Sequence, residues 1–263
     1  MERYLRKRAT ADAAVGGKDD LDDAPPPPSL TISRQCGVGL SRIERPLLEY
    51  LDSLESGPSP SWALFDQSIL GRVVDDGRLP KSAPPFLSER TKFPVTSALR
   101  DRLALPQKDW TLFNHSANAI RQICRAGQAL VVGRAGNFVT SDFGNTFHVR
   151  LIADKSNRIA FVSKRYRIDA RDASELVEET DKARARFVKR HAGAEIDDAV
   201  AYHLVVNMDH FDDDVTVRVI ADSMHEWAEA RVRSSGPEGV SWQAPTRRPG
   251  NVIEGDFPAS PPQ

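Results

Sequence analysis

The stretch Thr31-Ile32-Ser33-Arg34-Gln35-Cys36-Gly37-Val38-Gly39-Leu40-Ser41-Arg42-Ile43 constrains this chain more than any other. Leu30 and Ile32 suit a strand. Gly37 and Gly39 permit positive φ and close backbone approach. Beyond them Ile43, Leu47, Tyr50, Leu51 and Leu54 recur at helical spacing. A strand, a glycine turn and a helix gather backbone N–H groups at a positive helix end, where a phosphate can sit. An ordinary strand-to-helix connection has the same outline. The lysine of G-x-x-x-x-G-K-[ST] is also missing, because Leu40 follows Gly39. Pro46 lacks an N–H and fits only a first helical turn, so the helix starts late or bends there.

With 263 residues and 40% hydrophobic content, the chain can build one large or two small domains. Its 36 basic and 37 acidic residues nearly cancel, so no global field points to nucleic acid. Cys36 and Cys124 are too few for a disulfide framework and fit a reducing cytoplasm. Met1 to Ala14 lacks the apolar core of a secretory signal, and no apolar run reaches membrane-spanning length. A cytoplasmic protein without membrane or nucleic-acid partners is expected.

Residues 1–28 are charged and Ala-rich and end in Pro25-Pro26-Pro27-Pro28; they are expected to be disordered. Residues 233–263 carry repeated Pro and Gly, with Trp242 as a lone anchor, and a protein partner would act through these tails. The globular part is expected over 29–232. Within it Trp62-Ala63-Leu64-Phe65-Asp66 reads as a strand ending in a carboxylate. Residues 67–110 read as a basic, Pro-interrupted insertion. Asn114 or Ser116 is a candidate cap for a helix carrying Ala117, Ile120 and Ile123, stopped at Gly127. Ala129-Leu130-Val131-Val132-Gly133-Arg134 suits a strand covered on both faces, and Phe147 to Ile152 is another.

Two helices follow within 155–192. One carries Ile159, Val162 and Tyr166. The other starts at Asp172 and Glu175, at capping-box spacing, and buries Leu176, Thr180, Ala183 and Phe187. His203 to Asn207 forms the last strand, and a helix from Asp213 carries Val217, Ile220, Met224 and Trp227. The alternation implies an α/β fold: a parallel sheet with helices on both faces.

Phosphoryl transfer needs a phosphate cradle, cations for the transferred group and a place for the acceptor. Gly37 to Gly39 are candidates for the cradle. Arg134, at the end of a central strand, is a candidate for holding an acceptor phosphate. Arg165, Arg167, Arg184 and Arg186 are candidates for closing over the transferred group, because a guanidinium grips phosphate oxygens with two parallel bonds. A strand-end salt bridge for Arg134 and a solvated face for the helix arginines are the alternatives. The histidines show no ligand spacing, Asp212 to Asp214 suit a helix start, and no G-x-S-x-G supports a nucleophile.

Several motifs, in order, resemble the bacterial cytidylate kinase-like family. Ile32 to Gly39 is similar to its I-S-R-[EQ]-x-G-S-G loop, and Leu64-Phe65-Asp66 to its next strand. Val131-Val132-Gly133-Arg134-Ala135 is similar to I-V-G-R-[GA], and Phe147 to Ala153 to F-H-V-R-L-x-A. Asp181 to Phe187 resembles D-x-x-R-x-R-[YF], and the segment Asp197-Asp198 to Asn207 resembles D-D-x-x-x-Y-D-L-V-[IL]-N. The resemblance implies a P-loop fold of the nucleoside monophosphate kinase type, with ATP and Mg²⁺ as cofactors and CMP or dCMP as acceptor. It implies that Arg34, Gly37, Val38, Gly39, Leu40, Ser41 and Arg42 line the donor phosphates. It places Asp66 and Arg134 on the acceptor. It makes Asp181, Arg184 and Arg186 catalytic lid residues.

The chain departs from true cytidylate kinases at two charges. Leu40 replaces the loop lysine, and Val132 replaces the acid before Gly133-Arg134. Losing one charge-stabilising group typically costs ~10²–10³ in rate. Arg34 or Arg42 is the candidate substitute cation, and Asp154 or Asp66 the candidate metal holder. Two functions are therefore expected: ATP-dependent phosphoryl transfer to a small acceptor, or nucleotide binding without turnover in a sensor or interaction module.

Overall fold

The computed structural model describes residues 26–55, 62–66, 108–133 and 135–234. Most of the two tails, the 67–110 insertion up to 107 and Arg134 lie outside the described residues.

Strand β1, Ser29–Arg34, runs into the glycine turn; a short 3-10 turn, Leu40–Arg42, precedes helix α1, Glu44–Leu54. Pro46 falls in the first turn of α1, where its missing N–H costs nothing. Strand β2 is Ala63–Phe65, with Asp66 immediately after it. Helix α2, Lys108–Ala126, begins well before Asn114 and Ser116, so neither caps it and Ser116 is buried inside it. The helix therefore also starts within the stretch expected as insertion. Strand β3, Ala129–Val132, is followed by a one-turn helix α3, Gly136–Val139, which periodicity is too short to reveal.

Strand β4 is Thr146–Ile152, helix α4 Lys155–Tyr166 and helix α5 Ala170–Ala192. The α5 cap is Asp169, whose carboxylate accepts the Asp172 N–H, so Asp172 lies in the first turn and is not the cap. The face α5 buries is Ala173, Val177, Val188, His191 and Ala192; Leu176, Thr180, Ala183 and Phe187 are only partly covered. Strand β5, Leu204–Asn207, and helix α6, Asp213–Ser234, complete the order. The α6 start is capped by Asp212, which accepts the Val215 N–H at 2.7 Å.

All the strands pair in parallel, in the order β2-β3-β1-β4-β5. On one face Leu30, Ile32, Phe147, Val149 and Leu151 pack with Leu47 and Leu51 of α1 and Val217, Ile220 and Met224 of α6. On the other, Phe65, Val131 and Val139 join Ile120 and Ile123 of α2, while Phe138 joins Val188 and Ala192 of α5. Helices thus cover both faces. With β1 central and the order reversing around it, the crevice beyond its C-terminal end is the expected ligand position. No helix among the described residues is long and apolar enough to cross a membrane.

Candidate functional site

The glycine turn leaves β1 at that crevice. Gly37 and Gly39 adopt φ +79° and +84°, the left-handed region that glycine reaches without a Cβ penalty. At Gly37 a side chain has no room either, because its Cβ would lie 2.5 Å from the carbonyl oxygen of Arg158. The turn is therefore pressed against α4. Val38 and Leu40 point into the main core, Leu40 only 7% exposed, which is why this position carries no cation.

The contacts holding the turn are ionic. The Cys36 N–H donates to Asp181 Oδ1 at 2.7 Å. Arg158 Nη1 donates to Asp181 Oδ2 at 2.7 Å and to the Cys36 carbonyl at 3.0 Å, while its Nε reaches the Ala153 carbonyl. Arg158 is buried, so this pairing satisfies a charge that would otherwise be costly to desolvate. The Cys36 side chain packs against the Val162, Ala173 and Val177 cluster. Helices α4 and α5 are thus both fastened to the glycine turn through one carboxylate. Arg184, one turn along α5 from Asp181, donates to the Arg34 carbonyl at 3.2 Å.

Beside the turn lies a cavity of about 120 Å³ lined by Arg34, Gln35, Arg150, Asp181, Arg184, Ile196 and Asp197. Arg34 reaches over Gly133, where any Cβ would come within 2.3 Å of its Nη1. Arg150 comes from β4; its Nη1 donates to Ser33 Oγ at 2.8 Å and its Nη2 to Asp197. The ring of Tyr202 lies 5.7 Å from the guanidinium carbon. The Tyr202 hydroxyl donates to the Ile196 carbonyl at 2.8 Å, and burial pushes its pKa up, so it keeps its proton.

The structure brings Arg34, Asp181 and Arg184 together around one cavity, with Gly37 to Gly39 beside them. Arg42 also lies at the turn: its guanidinium packs over Gly39, where a Cβ would stand 3.0 Å from its Cζ, and pairs with Asp213 at 3.1 Å above the Phe161 ring, away from the cavity. Others fall elsewhere. Ser41 is exposed. Arg186 is exposed on α5 and does not line the cavity. Asp66 ends β2, two strands from β1, and Arg134 lies outside the described residues.

Arg150, Arg158 and Asp197 are the residues that sequence reasoning missed. A signal existed for Arg150: in Thr146-Phe147-His148-Val149-Arg150-Leu151 it alternates with core residues and must point to the opposite buried face. Arg158 gave none, because an arginine in a polar helix reads as solvated.

The described residues do not fit a resident metal. No three His, Cys, Asp or Glu side chains among them group to hold an ion. Asp154, a candidate holder, caps α4 through the Ser156 N–H at 2.7 Å, which with the Ser156 hydroxyl keeps its pKa low. A hydrated Mg²⁺ bound mainly by nucleotide phosphates needs fewer protein ligands. In the glycine turn the Cys36 N–H is taken by an Asp181 carboxylate oxygen, in the position a phosphate oxygen would fill. Neither thiol is poised as a nucleophile: burial pushes the Cys124 pKa up to about 12, and Cys36 belongs to a hydrophobic cluster.

A glycine turn after the central strand of a five-stranded parallel sheet, faced by arginines of α4 and α5, defines a P-loop-type kinase-like fold. The sequence profile of the cytidylate kinase-like family matches residues 59–210, more than half of the chain, and the protein belongs to that family. The match takes in Arg150, Arg158, Asp181, Arg184 and Asp197 but starts after the glycine turn. The chain is similar to the crystal structure of an uncharacterized protein from Eubacterium ventriosum ATCC 27560. Identity is 18% and the TM-score 0.57, over 76% of this chain and 98% of that one. A gluconokinase from Sinorhizobium meliloti 1021 aligns at 14% identity and TM-score 0.46, over 80% and 98%. No curated protein matches the chain.

Proposed function

We propose that the protein transfers the γ-phosphoryl group of ATP to a small anionic acceptor, with a nucleoside monophosphate such as CMP or dCMP as the first candidate. An acceptor oxygen would attack the γ-phosphorus as the bond to the β-phosphate bridging oxygen breaks, releasing ADP. The observation that carries this reading is the convergence of Arg34, Arg158 and Arg184, from three elements, on a glycine turn at the C-terminal edge of the central strand. Fixed positive charge around the transferred group is the main catalytic demand of this chemistry. Arg184 would face the transferred group, Arg34 would bridge it to the acceptor side, and Arg134 and Asp66 would contact the acceptor.

One observation favours a second reading, nucleotide binding without turnover. Leu40 sits in the core where a loop cation belongs, and the Arg42 guanidinium over Gly39 is already paired with Asp213. Titration with ATP and Mg²⁺, followed by ADP release across nucleoside monophosphates, separates the two. Acceptor-dependent ADP release is the kinase result. Saturable ATP binding with no release on any acceptor is the sensor result.

A further inference from the structure

Arg150 is a buried cation whose only described carboxylate partner sits largely in water. Its side chain is 5% exposed, while that of Asp197 is 75% exposed. The arginine is held from its other sides: Ser33 Oγ accepts from Nη1, and the Tyr202 ring lies against the guanidinium. Ser33 and Tyr202 are themselves joined, at 3.3 Å. The guanidinium is thus fixed from the protein side, while its counter-ion stands at the solvent edge, where an incoming anion can compete with it. A guanidinium has five N–H donors; Ser33 and Asp197 take one each from the terminal nitrogens, and the group borders the cavity.

Around it the lining is cationic, Arg34, Arg150 and Arg184 against Asp181 and Asp197, and both Asp181 oxygens already face Cys36 and Arg158. A cavity of roughly 150 Å³ accommodates benzene, so one of about 120 Å³ has room for a phosphate group.

We propose that Arg150, held in place by Ser33, is a receptor for a phosphate dianion, and that the Asp197 carboxylate is the group that dianion displaces. The proposal deepens the kinase reading, on which it rests for the identity of the ligand as the acceptor's phosphate. Neither the family resemblance nor the candidate lid residues assign a role to Arg150 or Asp197.

Inorganic phosphate is the direct probe, titrated by calorimetry at constant ionic strength. Asp197→Asn removes the internal competitor at an exposed position and leaves the fold intact; phosphate should bind about fivefold tighter, the equivalent of ~1 kcal/mol. Arg150→Lys keeps the charge but loses the planar fork, and phosphate binding should weaken at least tenfold with the circular dichroism spectrum unchanged. Unchanged phosphate affinity in D197N, or in a folded R150K, overturns the proposal. The kinase reading fails separately. If phosphate responds to both variants but no acceptor yields ADP, the receptor stands and the kinase reading falls. If ADP is released and R150K leaves the acceptor KM unaltered, the kinase reading stands and the receptor falls.

Discussion

Along β1 and β4 successive residues alternate between two buried faces of one sheet. Leu30, Ile32, Phe147, Val149 and Leu151 turn to α1 and α6 and meet only hydrocarbon. Thr31, Ser33, His148 and Arg150 turn the other way, and each is tied by a specific hydrogen bond. Thr31 Oγ1 meets His148 Nδ1 at 2.8 Å, and the His148 N–H donates to His203 Nδ1 at 2.9 Å. The two faces are about equally buried, so burial alone does not distinguish them. The apolar face gains from area removed from water and tolerates any residue of similar shape. The polar face needs particular partners, since a lost one leaves a buried donor unsatisfied. Stability is concentrated on the first face; the second, whose residues lead up to the glycine turn, carries the proposed recognition.

The comparison can be broken at several points. The largest effect is expected from Leu151→Ala, a fully buried position on the apolar face. It should cost roughly 2–5 kcal/mol of unfolding free energy in a denaturant titration, with little change in nucleotide affinity per folded molecule. Arg184→Ala, at the edge of the polar face, should do the converse. The proposed phosphoryl transfer falls ~10²–10³-fold while the unfolding temperature barely moves. A mutant that unfolds as readily as L151A would show that the polar face is structural too.

The third test uses pH. Burial, with His203 adding a smaller repulsion, pushes the His148 pKa down to about 3, and burial lowers that of His203 to about 4. His203 Nδ1 accepts a hydrogen bond, which requires the neutral ring. Unfolded histidines take up protons near pH 6.5, so between that pH and about 4 the unfolded state binds more protons. Stability contributed by these groups is full above pH 6.5 and is lost as the pH falls. For His148 the loss at pH 5 is on the order of 2 kcal/mol, a fall of roughly 4–8 °C in Tm. His148→Asn should flatten the Tm profile between pH 7.5 and 5; an unchanged slope would assign it to other groups.

Two smaller effects sharpen the picture at the turn. Asp181→Asn removes the charge fastening the Cys36 N–H and Arg158 to α5. ATP binding should tighten about tenfold, because the nucleotide no longer competes with an internal carboxylate. Weaker binding would make Asp181 part of the nucleotide site instead. Arg42→Ala should be the least consequential, changing stability by about 0–1 kcal/mol and leaving ATP affinity as it was. A large loss of ATP affinity would restore Arg42 as the substitute for the missing lysine.

Much of this was legible in the amino-acid order. The glycine turn, the apolar runs of β3 and β4, the helix stripes and the carboxylates before α6 are local features. Each is read from residues within a few positions, because φ/ψ limits and side-chain period are local. The same reasoning misplaced the start of α2 and the cap of α5, where neighbouring polar residues compete for one end. At α5 the cap is Asp169, three residues before the Asp172 whose N–H it accepts.

Which charges meet was decided only by the tertiary structure. Cys36 and Asp181 are 145 positions apart, Cys36 and Arg158 122, and Arg150 and Asp197 47. No periodicity links them. Sequence marks Arg158, Arg184 and Arg186 as alike, three arginines on polar helices. Folding buries Arg158, turns Arg184 to the cavity and leaves Arg186 in water. The local code settles that each helix forms, but not which stripe it buries, as the shifted face of α5 shows. The rotation and depth at which α4 and α5 close on the glycine turn follow from packing against the whole sheet, and that packing selects the arginines that become a site.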